Sequence, residues 1–146
     1  MLSTDKIKDL LSHGENKQVE FKRCTDKVSA SVYETVCSFL NAEGGYIFLG
    51  VDDDGTILGI NPKCVTDMTK SIINTLNNPE QFLPPMPITP EQAEIDDKII
   101  LYLNVPESEQ VHRYKNRFFD RWGDADNDVS KHTYLVKNMF MRKEKE

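Results

Sequence analysis

The sequence is short of the features that would place it in several common classes. Its three cysteines, Cys24, Cys37 and Cys64, are odd in number and lack metal-ligand spacing, so a reduced, cytoplasmic compartment is the simplest reading. No apolar run approaches the roughly 20 residues that span a bilayer, and Met1-Leu2-Ser3-Thr4-Asp5 lacks the basic start and apolar stretch of a secretory signal. Positive charge is also scarce. With 18 basic and 24 acidic residues the formal net charge is −6, which argues against non-specific coating of nucleic acid and leaves room only for a local basic patch.

Motif absences narrow the field further. There is no G-x-x-x-x-G-K-[ST] run, and no strand leads through G-x-G-x-x-G into a helix, so the glycines do not justify an ATP cradle. Asp120, Asp124, Asp126 and Asp128 invite a calcium reading, but Val129 stands where the EF-hand loop needs glycine and Leu135 where it needs glutamate. His13, His112 and His132 are scattered, and no nucleophile partners them.

What remains is an ordinary globular composition, 38% hydrophobic and 29% charged over 146 residues, enough for one domain with a real core. The stretch from Val36 to Gly55 organises it. Val36, Phe39 and Leu40 share a helical face, Asn41 and Gly44-Gly45 stop the helix, and Tyr46 to Val51 reads as a strand covered on both faces. Asp54-Gly55 predicts a hairpin into Thr56–Ile60.

Upstream, Ser3 or Thr4 caps a helix with Ile7, Leu10 and Leu11 on one side, ended by Gly14. Gln18–Lys22 alternates, with Val19 and Phe21 facing the core. Ser29 opens the helix that carries Val32, Val36, Phe39 and Leu40. Downstream, Asn61-Pro62 starts another helix through Val65, Met68, Ile72, Ile73 and Leu76. A proline-rich connector follows, then a hairpin over Ala93–Val105. Ser130 is the expected cap of a last helix with Leu135, Val136, Met139 and Phe140, and Arg142–Glu146 is a loose charged tail. The expected class is α/β (α+β), a single domain with a mixed β-sheet and helices packed on it.

From Val111 to Trp122 basic and aromatic residues interleave. Arg113, Lys115, Arg117 and Arg121 stand against Asp120 alone, a local balance of +3. Arginine grips phosphate bidentately and aromatic faces stack on unpaired bases, with Lys22, Arg23 and Lys27 as extensions of the patch. The competing reading is a solvated strand edge whose aromatics face the core.

Three separated blocks carry a resemblance. Glu15–Lys22, Phe39–Gly45, and Tyr46–Asp53 with Gly55 and Gly59 resemble the Schlafen-type AlbA domain in order and spacing, and Val105–Ser108 and Phe119-Asp120-Arg121 resemble its second half. The likeness covers roughly residues 10–125 and sets the expected domain at 1–130, with 131–146 a terminal helix and charged tail. It implies a DNA- or RNA-binding module, a transcriptional regulator or the N-terminal part of one, with no cofactor required for binding. Phosphate contacts are expected from Lys22, Arg23, Arg113, Lys115, Arg117 and Arg121, and a homodimer would enlarge the basic face.

The alternative that the resemblance implies is an enzyme, a metal-dependent endoribonuclease using Mg or Mn. By motif its acidic triad falls on Glu15, Glu20 and Asp53, which would serve as both metal ligands and catalytic residues. Oxygen ligands from separate elements suit a divalent ion that activates water. The structural reading pairs Glu20 with Lys22 or Arg23 and spends Asp52, Asp53 and Asp54 on a turn. A protein-interaction or oligomerisation module is the third expectation. No membrane partner is expected.

Overall fold

In the computed structural model, which describes residues 1–144, the strand read as central lies inside the sheet. That strand, β2 (Gly45–Leu49), runs parallel to β1 (Val19–Lys22) and antiparallel to β5 (Lys98–Val105), which pairs in turn with β4 (Glu91–Ile95). The sheet order is β1-β2-β5-β4, so it is mixed. Side chains alternate across a strand, and both sides of β2 are buried. Ile47 and Leu49 join one cluster with Leu101 and Leu103, while Phe48 joins the other with Ile100 and Tyr102.

Two helices close those faces. Between β1 and β2 runs α2 (Ala30–Asn41), buried from Thr35 to Asn41 without a break as well as at Val32 and Tyr33. A helix buried around its whole circumference needs a second layer outside it. The hairpin β7 (Phe119–Trp122) and β8 (Ala125–Asp128) supplies that layer. On the opposite sheet face, α1 (Thr4–Ser12) lays Ile7 and Leu11 beside Phe48 and Tyr102. The Ser3 side chain caps α1 by accepting from the Lys6 N–H.

The turn from α2 into β2 depends on two glycines. Gly44 takes φ +76°, and a Cβ there would stand 2.5 Å from the Val105 carbonyl. A Cβ on Gly45 would meet the Gln18 carbonyl at the same distance. Backbone approaches this close admit no side chain.

After β2, Asn61 caps a 3-10 turn (Pro62–Cys64) that leads into α3 (Val65–Leu76), as its Asn-Pro start predicts. A short ladder of β3 (Phe82–Leu83) with β6 (Arg113–Tyr114) follows the prolines. The hairpin of β4 and β5 turns at Asp96-Asp97, both at positive φ.

Three expectations are corrected. Thr56–Ile60 forms no strand: Val51 and Ile57 make a single bridge, and Leu58 and Gly59 both donate to the Gly50 carbonyl, which curls the segment instead of extending it. Ser130 does not cap the last helix. Its hydroxyl is bonded to Asp128 and accepts from the Phe118 N–H, so α4 (Thr133–Lys143) begins three residues later. Nor is the chain loose from Arg142: Arg142 and Lys143 close α4 and donate to the Asn41 and Leu40 carbonyls. Those carbonyls are among the last of α2, which have no partner within their own helix. Residues 145 and 146 of the predicted tail lie outside the described residues.

Candidate nucleic-acid interface

The basic-aromatic segment divides into residues with quite different surroundings. Arg121, on β7, has a side chain with no exposed surface. Its Nη1 donates to Glu20 Oε1 at 2.9 Å and to Asp126 Oδ1 at 2.8 Å, its Nη2 to the Asn16 carbonyl and its Nε to the Lys17 carbonyl. The guanidinium also lies 4.7 Å from the centre of the Phe39 ring, within cation–π range. Arg121 therefore cannot touch a phosphate, which corrects its place among the expected contacts.

Arg117 is about half exposed and paired at 3.3 Å with both Glu34 and Asp128. Arg113 is partly buried, and its Nε is enclosed with no hydrogen-bond partner. Lys115 is exposed at the β6 turn, its ammonium 5.4 Å from the Tyr114 ring centre. The segment's aromatics go inward, as the core reading anticipates: Tyr114 and Phe119 are 3% exposed, and only Trp122, at 48%, presents a large open surface.

The cations expected as extensions of that patch stand in a different setting. From the end of β1 the chain loops through Arg23 to Ser29 into α2 and walls an open groove of about 660 Å³. Lys22, Arg23 and Lys27 line it together with the hydroxyl-bearing Thr25, Ser29 and Ser31. Arg23 and Lys27 are exposed. Arg23 Nε donates to Asp52 at 2.7 Å, a bond that raises the guanidinium's pKa and holds the Asp52 carboxyl below its ordinary range. Ser29, the residue before α2, makes no side-chain cap to the helix; its hydroxyl lies 2.9 Å from that of Ser31.

All three residues of the expected acidic triad line this same groove. Glu20 projects from the polar side of β1, and Glu15 turns back from the preceding loop so that its Oε2 accepts from the Phe21 N–H at 2.9 Å. Burial, reinforced by a hydrogen bond from Glu15, raises the Glu20 carboxyl to about 8 against the pull of Lys22 and Arg121. A carboxyl–carboxyl bond needs a proton, and the raised Glu20 carboxyl supplies it. Asp53 stands apart, its side chain 76% exposed and 3.7 Å from Arg23. Asp54 belongs to the turn, accepting from the Thr56 N–H, a bond that lowers its pKa.

A divalent ion needs several ionised oxygens pointing at one place. Among the described residues no three Asp, Glu, His or Cys side chains gather closely enough to hold one. A protonated Glu20 and the outward Asp53 do not fit a bound metal in this arrangement.

A family model described as Schlafen, AlbA_2 matches residues 15–130. The chain belongs to that family. Among solved structures, it is similar to the N-terminal domain of an ATP-dependent DNA helicase RecG-related protein from Nitrosomonas europaea. That likeness has 27% identity and a TM-score of 0.57, over 73% of this chain and 74% of that one. It shares its fold with the DIP2311 protein from Corynebacterium diphtheriae at 13% identity and a TM-score of 0.62, over 92% of this chain and 30% of that longer one. The family match and the helicase-related neighbour support nucleic-acid association in general. Among the described residues, no helix is long and apolar enough to cross a membrane.

Sequence reasoning missed Thr25, Ser29 and Ser31 as groove residues, and Asp126 as the second anchor of Arg121. The available signal for the first three was a run of small hydroxyl side chains from Thr25 into the first turn of α2. For Asp126 there was none, since its partners Thr35 and Ser38 lie 91 and 88 residues away.

Proposed function

We propose that this Schlafen AlbA_2 domain binds DNA or RNA through the groove between β1 and the start of α2, as a module of a transcriptional regulator. Arg23 and Lys27 are the principal phosphate contacts, with Lys22 deeper in the groove. The hydroxyls of Thr25, Ser29 and Ser31 offer the neutral donors that commonly position a sugar-phosphate backbone. The observation that carries this reading is the gathering of three cations and three hydroxyls on one open groove, in a domain similar to one from a helicase-related protein. Lys115 and Arg117 are secondary contacts. They sit across the start of α2, where Val28 and Ala30 border the neighbouring depression that Lys115 lines. The test is fluorescence anisotropy with labelled single- and double-stranded DNA and RNA over a salt series. Arg23→Ala with Lys27→Ala is expected to weaken binding at least about tenfold and to reduce the salt slope by about 2. An unchanged affinity would overturn the assignment.

The shared location of Glu15, Glu20 and Asp53 favours a second reading, a metal-dependent endoribonuclease. It requires Asp53 to leave Arg23 and Glu20 to give up its proton. Incubation of a structured RNA with Mg²⁺ or Mn²⁺, comparing the natural protein with Glu20→Gln, tests it. No cleavage, or equal cleavage by both proteins, removes this reading.

A further inference from the structure

We infer that Arg121 is a positioning residue of the groove: its buried charge backs the acidic lining beside Lys22 and so sets how strongly the groove attracts a polyanion it never touches. The inference rests on the nucleic-acid reading above.

A groove that binds phosphates is poorly served by acids on its floor, yet Glu15 and Glu20 line this one. Glu20 is within 3.8 Å of Lys22 and is only 12% exposed at its side chain. Lys22 alone would have to serve both that carboxyl and an incoming phosphate. Arg121 relieves the conflict from behind. Its Nη1 is shared between Glu20 and Asp126, and its other bonds fix the Asn16 and Lys17 carbonyls that lead into β1. Asp126 is itself held by Thr35 and Ser38 of α2. The guanidinium thus ties the groove's β1 side to its α2 side and places one buried positive charge behind Glu20. Nearby cations are occupied elsewhere, Arg117 with Glu34 and Asp128, and Arg142 with Asp120.

Charge acting through protein, one residue removed from the ligand, changes affinity without adding or removing a phosphate contact. It therefore shifts the whole salt plot but leaves its slope alone. A residue with a merely structural role has no such signature.

The experiment measures affinity for a fluorescein-labelled DNA duplex and its RNA counterpart over a KCl series, using the full chain and the variants Arg121→Gln, Asp126→Asn and the double substitution. Arg121→Gln is expected to weaken binding about three- to tenfold, and Asp126→Asn to tighten it by a similar factor, both with unchanged slope. The double variant, in which the charges cancel again, is expected to return near the natural affinity. A double variant weaker than either single, a reduced slope, or an unaffected Arg121→Gln would overturn the inference while leaving the nucleic-acid reading standing. Absence of binding by the natural protein would overturn both. If Arg121→Gln does not fold, Asp126→Asn decides: tighter binding at unchanged slope supports the inference, and equal or weaker binding overturns it.

Discussion

The β6–β8 region and the β1–α2 groove contain similar numbers of basic side chains and use them in opposite ways. In β6–β8 all the basic side chains but the exposed Lys115 are held by the fold: Arg121 has no exposed side-chain surface, Arg113 is partly buried, Arg117 is bound to two carboxylates, and the rings of Tyr114 and Phe119 are core. In the groove, Arg23 and Lys27 reach solvent beside three hydroxyl residues. An interleaved basic-aromatic run therefore does not in itself define a contact surface. What matters is whether the pairing also buries the cation: Glu20 and Asp126 enclose Arg121 completely, whereas Arg23, though paired with Asp52 and Asp53, keeps a side chain that is 65% exposed.

The contrast can be challenged by substitution, starting with the largest effect. Arg121→Ala strands the buried Asp126 carboxylate and removes the donor to Glu20, and breaking a buried pair in this way costs about 3–5 kcal/mol; urea unfolding should show it. Lys27→Ala, at an exposed position of the groove, should leave the same curve within about 0.5 kcal/mol. Equal stability of the two variants would contradict the division between the regions.

The second effect depends on pH. The folded pKa of Glu20, about 8, lies above its ordinary 4.5, so between those values the folded chain retains a proton that the unfolded chain releases. Stability from this group is therefore full below about pH 4.5 and is lost as pH rises through 8. Glu20→Gln should flatten that limb of the stability profile; a profile unchanged by the substitution would show that Glu20 is ionised in the fold.

A smaller effect concerns the groove turn. Arg23→Ala removes an exposed pair with Asp52, and solvent screening leaves such pairs little effect on stability. Thermal unfolding should barely change while nucleic-acid affinity falls. Parallel loss of both would mean that Arg23 acts through the fold and not through contact.

Much of the scaffold was legible because its signals are local. The alternation of Val19 and Phe21, the double burial of Tyr46–Val51 as it appears in Ile47, Phe48 and Leu49, and the Asn61-Pro62 start each depend on neighbours a few residues apart. The outer layer on α2 was not legible. Asn41, read only as a helix stop, is a buried hub: it exchanges bonds with the His112 backbone and donates to the Phe119 carbonyl, partners 71 and 78 residues away. His112 is 2% exposed and held at both ring nitrogens, by Pro84 and Ser108. Long-range polar pairings of this kind leave no periodic trace. The same limit hid the fate of Arg121, whose carboxylate partner on β1 lies 101 residues upstream.

The central claim is that exposed groove cations, not the basic-aromatic segment, carry the phosphate contacts. The most direct measurement is the salt dependence of affinity for the natural protein, Arg23→Ala/Lys27→Ala and Lys115→Ala/Arg117→Ala, on one labelled duplex. The groove pair should lower the slope by about 2 and the affinity at least about tenfold, with the second pair costing less than about threefold. A greater loss of slope and affinity from Lys115→Ala/Arg117→Ala would contradict it.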